Sequence, residues 1–218
     1  MIGAVLFDVD GTLVDSNDLH AAAWQEAFRH FGADLPFDRI RGQIGKGGDN
    51  LIPTLLPHEL VARDQEMEEF RSDLFKRDYL PRAWPFAGVC ELMERLHDDG
   101  RAIVLASSAH RDELDFHLDR IGCGHFVTAV TTKDDVERSK PCPDIFEAAL
   151  AKVAPLGAAD VVVVGDSPWD VKAAARIGVK AIAVRCGGFA DEELNAAGAA
   201  AIYDGPENLL ARYPAWLR

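Results

Sequence analysis

Short apolar runs recur along this chain, and helical patterns of similar length lie between them. The runs are at residues 4–7, 102–106, 127–131, 161–164 and 181–184. The helical patterns are at residues 88–96, 111–121, 145–153 and 171–177. Strands that alternate with helices in this way form a parallel sheet with right-handed crossover connections. The sequence therefore predicts an α/β fold with a doubly wound core.

The segment from residue 17 to residue 80 interrupts this alternation. It contains helical patterns at 19–31 and 59–75 and no convincing strand, and glycines and prolines punctuate it. Because 218 residues are few for two full domains, an insertion into one core is expected. We predict a Rossmann-like core domain from residues 1–16 and 81–218 and a helical cap domain from residues 17–80, with hinges at 14–18 and 80–85. The tail is predicted to contain a helix from residue 191 and a short strand at 200–203.

Composition narrows the possible partners and the compartment. The formal net charge of −13 would repel the backbone of DNA or RNA, so no nucleic-acid partner is expected. No apolar run has membrane-spanning length and no signal peptide precedes the first strand, so no membrane partner is expected. Four cysteines without a CxxC pair are typical of reduced thiols. These features predict a cytoplasmic protein and leave open whether it is a monomer or a homodimer.

Polar side chains follow several of the apolar runs directly. Ligands of doubly wound sheets bind beyond the carboxyl ends of the strands, so these side chains are candidates for one shared site. The candidates are Asp8 and Asp10 after the first run, Ser107 and Ser108 after the second, Lys140 before a helix, and Asp166 and Asp170 after the fourth. Converging carboxylates repel one another, and a hard cation such as Mg²⁺, which prefers oxygen ligands, relieves that repulsion. The pattern predicts a Mg²⁺ site that attracts phosphate oxygens.

The residue types also indicate a division of chemical roles. Two carboxylates spaced two apart leave the first strand on one side, so Asp8 could attack a substrate while Asp10 transfers protons. Lys140 and a serine could neutralise and hydrogen-bond the phosphate oxygens. Ser107 and Ser108 compete for the serine role, and Ser107 is preferred because it follows its apolar run directly.

These motifs, in this order, resemble the haloacid dehalogenase-like superfamily of phosphatases and phosphomutases. The first is DxDGT at residues 8–12, followed by the serines at 107–108, the lysine at 140 and GDxxxD at 165–170. The resemblance spans essentially the whole chain, and the insert matches the helical-cap subgroup that contains phosphoglycolate phosphatases and β-phosphoglucomutases. It implies an enzyme that uses Mg²⁺ to hydrolyse small phosphorylated metabolites through an aspartyl-phosphate.

The resemblance implies roles for the four aspartates. Asp8 would be the nucleophile and would also bind Mg²⁺. Asp10 would protonate the leaving group and then accept a proton from water, with its backbone carbonyl on the metal. Asp166 would be the last protein ligand of Mg²⁺, and Asp170 would support the metal or its waters. An acid in the first turn of a helix, stabilised by the helix dipole, is the alternative for Asp170.

The resemblance implies substrate-binding residues on the core and on the cap. Ser107, with Ser108 as the alternative, and Lys140 would hold the phosphoryl oxygens. His20 is similar in position to a histidine of β-phosphoglucomutase-like members, although single histidines on helices are more often structural. Lys46 lies in a glycine-rich cap loop of the kind that reads substrate in this family, and a solvated loop lysine is its alternative.

Other functions share parts of this pattern. A β-phosphoglucomutase-like mutase is favoured slightly by His20, but Lys46 stands where an arginine is expected in such a mutase. A true dehalogenase needs no metal and lacks the aspartate at the position of Asp10. A phospho-receiver domain has no place for the helical insert. A non-catalytic phospho-ligand binding protein is disfavoured because every motif position is intact. For an enzyme, we expect the cap to close over the substrate and exclude water.

Overall fold

The computed structural model describes residues 2–217 and contains a six-stranded sheet in which all neighbouring strands are parallel. Its strands are β1 (Ala4–Phe7), β4 (Ala102–Ala106), β5 (Ala129–Thr131), β6 (Val161–Gly165), β7 (Lys180–Val184) and β8 (Ala201–Tyr203). They lie in the order β5-β4-β1-β6-β7-β8. The chain therefore adds β4 and β5 on one side of β1 and the later strands on the other side. The predicted doubly wound α/β fold is confirmed.

Helices cover both faces of this sheet. They are α6 (Val89–Asp98), α7 (Arg111–Ile121), α8 (Asp144–Ala151), α9 (Pro168–Arg176), α10 (Asp191–Ala197) and α11 (Pro206–Ala211). Alternate residues of β1 point to opposite faces, so Val5 and Phe7 join one apolar cluster and Ala4 and Leu6 join another. All four β1 residues are fully buried, which explains why the strand reads as a continuous apolar run.

Residues 17–80, which we call the cap segment, are helical and have a core of their own. The helices are α1 (Asn17–His30), α2 (Phe37–Arg41), α3 (Gly48–Leu55), α4 (His58–Val61) and α5 (Asp64–Leu74), followed by a π-helical turn at Phe75–Tyr79. Buried side chains such as Phe28, Ile52 and Met67 pack together between them. The sequence predicted one helix over 59–75, but the chain turns between α4 and α5. No glycine or proline lies at that turn, so the pattern could not reveal it.

The two connections between the cap segment and the core pair with each other. β2 (Val14–Asp15) and β3 (Trp84–Pro85) form a short antiparallel ladder. The backbone N–H of Phe86 also donates to the carbonyl of Leu13 at 2.9 Å. The predicted hinge segments thus form one two-stranded ribbon, and strands of two residues are too short to show periodicity in a sequence.

The cysteines differ from the sequence expectation. Cys90 and Cys123 form a disulfide, with Cα atoms 5.6 Å apart, whereas all four cysteines were expected to be reduced. The two residues are 33 positions apart and meet because α6 and the end of α7 pack on the same sheet face. Cys142 and Cys186 are free and half-buried. Within residues 2–217, no helix combines the length and the apolar character needed to cross a membrane.

Candidate active site

The carboxyl ends of three neighbouring strands bring motif residues to one edge of the sheet. Phe7 of β1 lies opposite Val164 of β6, so Asp8 and Asp166 leave adjacent strands side by side. β4 pairs with the other side of β1, which places Ser107 at the same edge. The sheet topology alone therefore assembles these predicted site residues.

Lys140 reaches the centre of the site although it follows no strand. Its side chain is 1% exposed, and its Nζ lies 2.5 Å from Asp8 Oδ1 and 2.7 Å from Asp170 Oδ1. Thr12 donates its hydroxyl to Asp8 Oδ2 at 3.0 Å. Burial by itself would lower the pKa of Lys140, but Asp170 and Asp8 raise that pKa above its usual value. The lysine is thus a buried cation that fixes the Asp8 carboxylate.

Three buried carboxylates surround this single ammonium group. Asp8, Asp166 and Asp170 each place an oxygen within 4.8 Å of the others. Burial raises the pKa of Asp8 to about 7 despite the opposing effect of Lys140. Burial, together with the charges of Asp8 and Asp170, also raises the pKa of Asp166 well above its usual value. One lysine does not compensate three carboxylates, and their hard oxygen atoms fit a divalent cation such as Mg²⁺.

Asp170 uses its two carboxylate oxygens differently. Its Oδ2 accepts hydrogen bonds from the Ser167 backbone N–H at 3.1 Å and the Ser167 hydroxyl at 2.5 Å, which caps the start of α9. Its Oδ1 faces Lys140. Asp170 thus lies in the first turn of α9 and also places a carboxylate oxygen in the buried acidic cluster.

Asn17, Gly187 and Gly11 shape the site; Gly11 belongs to the DxDGT motif, whereas Asn17 and Gly187 were not identified from the sequence. The Asn17 side-chain amide donates to Asp166 Oδ2 at 2.7 Å and to the Gly187 carbonyl at 2.9 Å. A Cβ atom on Gly187 would lie 1.9 Å from Asp166 Oδ2, so only glycine fits there. Gly11 has φ +79°, and a Cβ there would lie 2.5 Å from the same oxygen. Gly187 follows β7, so the strand-end rule offered a signal for it, whereas Asn17 had none.

The Asp10 side chain points away from the acidic cluster. Its Oδ1 accepts from the Ser16 hydroxyl at 2.6 Å and lies 2.9 Å from His20 Nε2 and 3.4 Å from His117 Nε2. Burial would raise the pKa of Asp10, but His20 and His117 outweigh it and hold this pKa well below its usual value. The carboxylate of Asp10 is therefore separated from the cluster of Asp8, Asp166 and Asp170 and contacts Ser16 and two histidines instead.

His20 connects Asp10 to the cap segment. Its ring stacks on Phe75 with centroids 4.0 Å apart, and its Nδ1 contacts the guanidinium of Arg71. Burial lowers the pKa of His20, although the charge of Asp10 acts in the opposite direction. The structure thus places His20 against a predicted catalytic residue, and it also gives the ring a packing role.

The two candidate serines have different surroundings. Ser107 is fully buried, and its Oγ accepts the backbone N–H of Ala109 at 3.0 Å, which leaves its hydroxyl proton free to donate elsewhere. Ser108 is half-buried and lines the cavity over Asp8. Both serines remain candidates for holding phosphoryl oxygens.

A cavity of about 80 Å³ lies between the core and the cap segment. Asp8 and Asp10 line its floor, and the cap loop at residues 44–48 lines its roof. Lys46 in that loop donates to Gln43 Oε1 at 2.7 Å, and its Nζ lies 4.1 Å from the centre of the Trp169 ring. Burial, with a contribution from Lys172, lowers the pKa of Lys46. Trp169, in the first turn of α9, thus contacts the cap.

Direct bonds hold the cap segment against the core beside this cavity. Asp49 Oδ2 accepts the backbone N–H of Ser139 at 3.1 Å, and the Asn50 side chain donates to the Ser139 carbonyl at 3.0 Å. These bonds join the cap to the chain segment that carries Lys140. The structure therefore has its cap closed over the site.

Comparison with known proteins agrees with this arrangement. A family model of haloacid dehalogenase-like hydrolases matches residues 5–184. A phosphoglycolate phosphatase from Pseudomonas fluorescens is 30% identical over 191 residues, which cover 84% of this chain and 69% of that protein. Pyrophosphatase PpaX from Oceanobacillus iheyensis is 27% identical over 186 residues, which cover 84% of this chain and 83% of that protein. The crystal structure of a hydrolase from Pseudomonas syringae superimposes with a TM-score of 0.89 at 29% identity and covers 97% of both chains.

The chain belongs to the haloacid dehalogenase-like hydrolase family. It is an enzyme of this family, and it is similar to proteins named phosphoglycolate phosphatase and pyrophosphatase.

Proposed function

We propose that this protein is a Mg²⁺-dependent phosphatase that hydrolyses small phosphorylated metabolites through an aspartyl-phosphate on Asp8. The observation that supports this most strongly is the Asp8 carboxylate, held by Lys140 within a buried acidic cluster at the floor of an enclosed cavity. The carboxylates of Asp8 and Asp166 and the backbone carbonyl of Asp10 would hold Mg²⁺, with Asp170 in support. Mg²⁺ would supply positive charge to the phosphoryl oxygens.

The side chains account for both halves of the reaction. In the first, Asp8 forms a bond to phosphorus while the bond from phosphorus to the leaving-group oxygen breaks, and Asp10 gives that oxygen a proton. In the second, Asp10 takes a proton from water, whose oxygen attacks phosphorus and releases Asp8. Lys140 and Ser107 are proposed to hold the phosphoryl oxygens throughout. The pKa of Asp10, held low by His20 and His117 despite burial, favours the ionised form that the second half needs and opposes the protonated form that the first half needs.

Phosphate release from a panel of phosphorylated metabolites tests this proposal. We expect release that requires Mg²⁺ and is abolished by Asp8→Asn. Asp15→Asn, a substitution of an exposed acid in the nearby β2 strand, is the matched control and should remain active. Mass spectrometry of quenched reactions should find a phosphoryl group on the peptide that contains Asp8. Full activity of Asp8→Asn, or activity that does not depend on Mg²⁺, would contradict the proposal.

The panel should include phosphoglycolate and pyrophosphate because two relatives carry names that refer to them. It should also include β-glucose 1-phosphate, since the 2.9 Å contact of His20 with Asp10 favours the mutase alternative. Glucose 6-phosphate formed with little free phosphate would support a mutase, whereas free phosphate from several esters would support the phosphatase.

The cap segment is proposed to act as a domain that opens for substrate entry. In the closed structure it covers the cavity that Asp8 lines, and the paired β2 and β3 strands are proposed as its hinge. Solution scattering with and without a phosphate analogue should show a more extended molecule in the free state. Identical profiles would argue against this motion.

We propose a cytoplasmic location and either a monomer or a homodimer, as the sequence predicts. The Cys90–Cys123 disulfide is the observation that opposes the cytoplasmic location, since disulfides are rare in reducing compartments. Thiol counting on protein prepared from cells under alkylating conditions would show whether Cys90 and Cys123 are reduced, as a cytoplasmic location predicts, or joined in a disulfide. Light scattering would give the oligomeric state.

A further inference from the structure

The cavity contains a buried acid that the proposed reaction does not use. Glu113 lies on α7, is 1% exposed and lines the same cavity as Asp8 and Asp10. Within residues 2–217, neither of its carboxylate oxygens has a hydrogen-bond partner. Burial of a carboxylate without a partner is strongly unfavourable, so a donor is expected to come from the molecule that occupies the cavity.

The cationic groups near Glu113 are engaged by other acids. Lys76 pairs with Asp112 at 2.7 Å, and His20 Nε2 lies 2.9 Å from Asp10. Nothing in the described part of the chain therefore completes the hydrogen bonding of Glu113.

Arg71 offers the complementary feature in the same cavity. Its guanidinium lies over Phe75 and Trp24, 4.7 Å and 5.6 Å from the ring centres, and one terminal nitrogen contacts His20. Its buried Nε has no partner among residues 2–217. Two residues that line the cavity thus carry a buried acceptor without a donor and a buried donor without an acceptor among residues 2–217.

A hydroxyl group matches this combination because it both donates and accepts hydrogen bonds. We propose that Glu113 and Arg71 bind a hydroxyl group of the leaving group, so that the substrate is a phosphate monoester of a small hydroxylated molecule. This inference rests on the proposed phosphatase function. A carboxylate at this position would meet Arg71 but would be repelled by Glu113, so carboxylate esters such as phosphoglycolate bind less tightly.

Matched pairs of ligands test the subsite. Phosphoglycolate and 2-hydroxyethyl phosphate differ only in a carboxylate or a hydroxymethyl group, and 3-phosphoglycerate and glycerol 3-phosphate form a similar pair one carbon longer. Dissociation constants would be measured calorimetrically with Mg²⁺ in the Asp8→Asn background, where binding does not require turnover. We expect the hydroxylated member of at least one pair to bind about tenfold or more tightly than its carboxylate partner.

Substitutions on α7 then assign that preference to Glu113. Glu113→Gln keeps the shape but removes the charge, and we expect it to reduce the preference about tenfold. Asp115→Asn is the control, since Asp115 is exposed on the same helix and pairs with Arg111 rather than with Lys76, and it should keep the preference.

The outcomes separate this inference from the proposed function. Equal binding within both pairs, or an unchanged preference in Glu113→Gln, would overturn the subsite. If the unsubstituted enzyme releases no phosphate from any ester while the binding preference is present, the phosphatase proposal fails and the subsite stands. If the enzyme releases phosphate but shows no binding preference within the ligand pairs, the phosphatase proposal stands and the subsite fails.

Discussion

Replacement of Lys140 by methionine should strongly destabilise the protein when no metal is present. Methionine keeps most of the aliphatic volume beside Phe146, whose ring centre is 5.1 Å from Lys140 Nζ, but it removes the charge. Asp8 and Asp170, which lie 2.5 Å and 2.7 Å from Nζ, would lose their buried cation. Breaking a buried ion pair in this way costs about 3–5 kcal/mol. For a chain of this length, such a loss lowers Tm by about 6–20 °C.

The loss of stability should depend on pH in a defined direction. Lys140 has a folded-state pKa raised above 10.5, so its contribution is complete at pH 8 and is lost only at more alkaline pH. Burial raises the pKa of Asp8 to about 7, so Asp8 takes up a proton below that pH and then needs the ammonium less. The Tm difference between the two proteins should therefore be largest near pH 8 and smaller near pH 5.

Thermal unfolding monitored by circular dichroism in EDTA is the assay. Lys133→Met is the matched control, because Lys133 forms a partly exposed ion pair with Glu68 and should cost at most about 1 kcal/mol. A Tm of Lys140→Met equal to that of the unsubstituted protein at pH 8 would refute the reasoning. A loss that grows towards pH 5 would refute it as well.

Three further substitutions test other parts of the structure. Asn17→Ala should cost about 1–3 kcal/mol in urea unfolding, because it removes the donor to Asp166 and the Gly187 carbonyl; an unchanged midpoint would contradict this. Gly187→Ala places a Cβ 1.9 Å from Asp166 Oδ2, so the Mg²⁺ affinity measured by calorimetry should fall at least about tenfold. The far-UV circular dichroism spectrum should not change. An unaltered affinity would show that Asp166 does not bind the metal. Phe28→Ala, at a fully buried position of the cap segment, should lower the free energy of unfolding by about 3–5 kcal/mol and speed proteolysis within residues 17–80. A free energy of unfolding within about 1 kcal/mol of the original would contradict the packing described.

The sequence could reveal the residues that the sheet itself positions. Strand β1 reads as an apolar run because both of its faces are buried, and its carboxyl end carries Asp8. Asp166 follows another such run, so the strand-end rule places the two aspartates together before any coordinates are known. Lys140 reaches the site from a loop rather than from a strand end, and its position before a helix and the family motif both pointed to it.

The residues that the sequence did not reveal depend on contacts across long separations. Asn17 meets Asp166 across 149 positions, and this contact exists only because the cap segment lies closed on the core. Glu113 and Arg71 have polar side chains that read as helix surface in a linear pattern. Their burial depends on how α5 and α7 approach each other, which periodicity within one helix does not contain.

The first turn of α1 links both halves of the site to the cap. Asn17 and His20 are three residues apart and therefore lie on the same face of this helix. Asn17 donates to Asp166 in the acidic cluster, whereas His20 contacts Asp10, the proposed proton-transfer residue. A movement of the cap that shifts α1 would change both contacts together. The acidic cluster and Asp10 would then reach their proposed working geometry in the same step, when the cap closes.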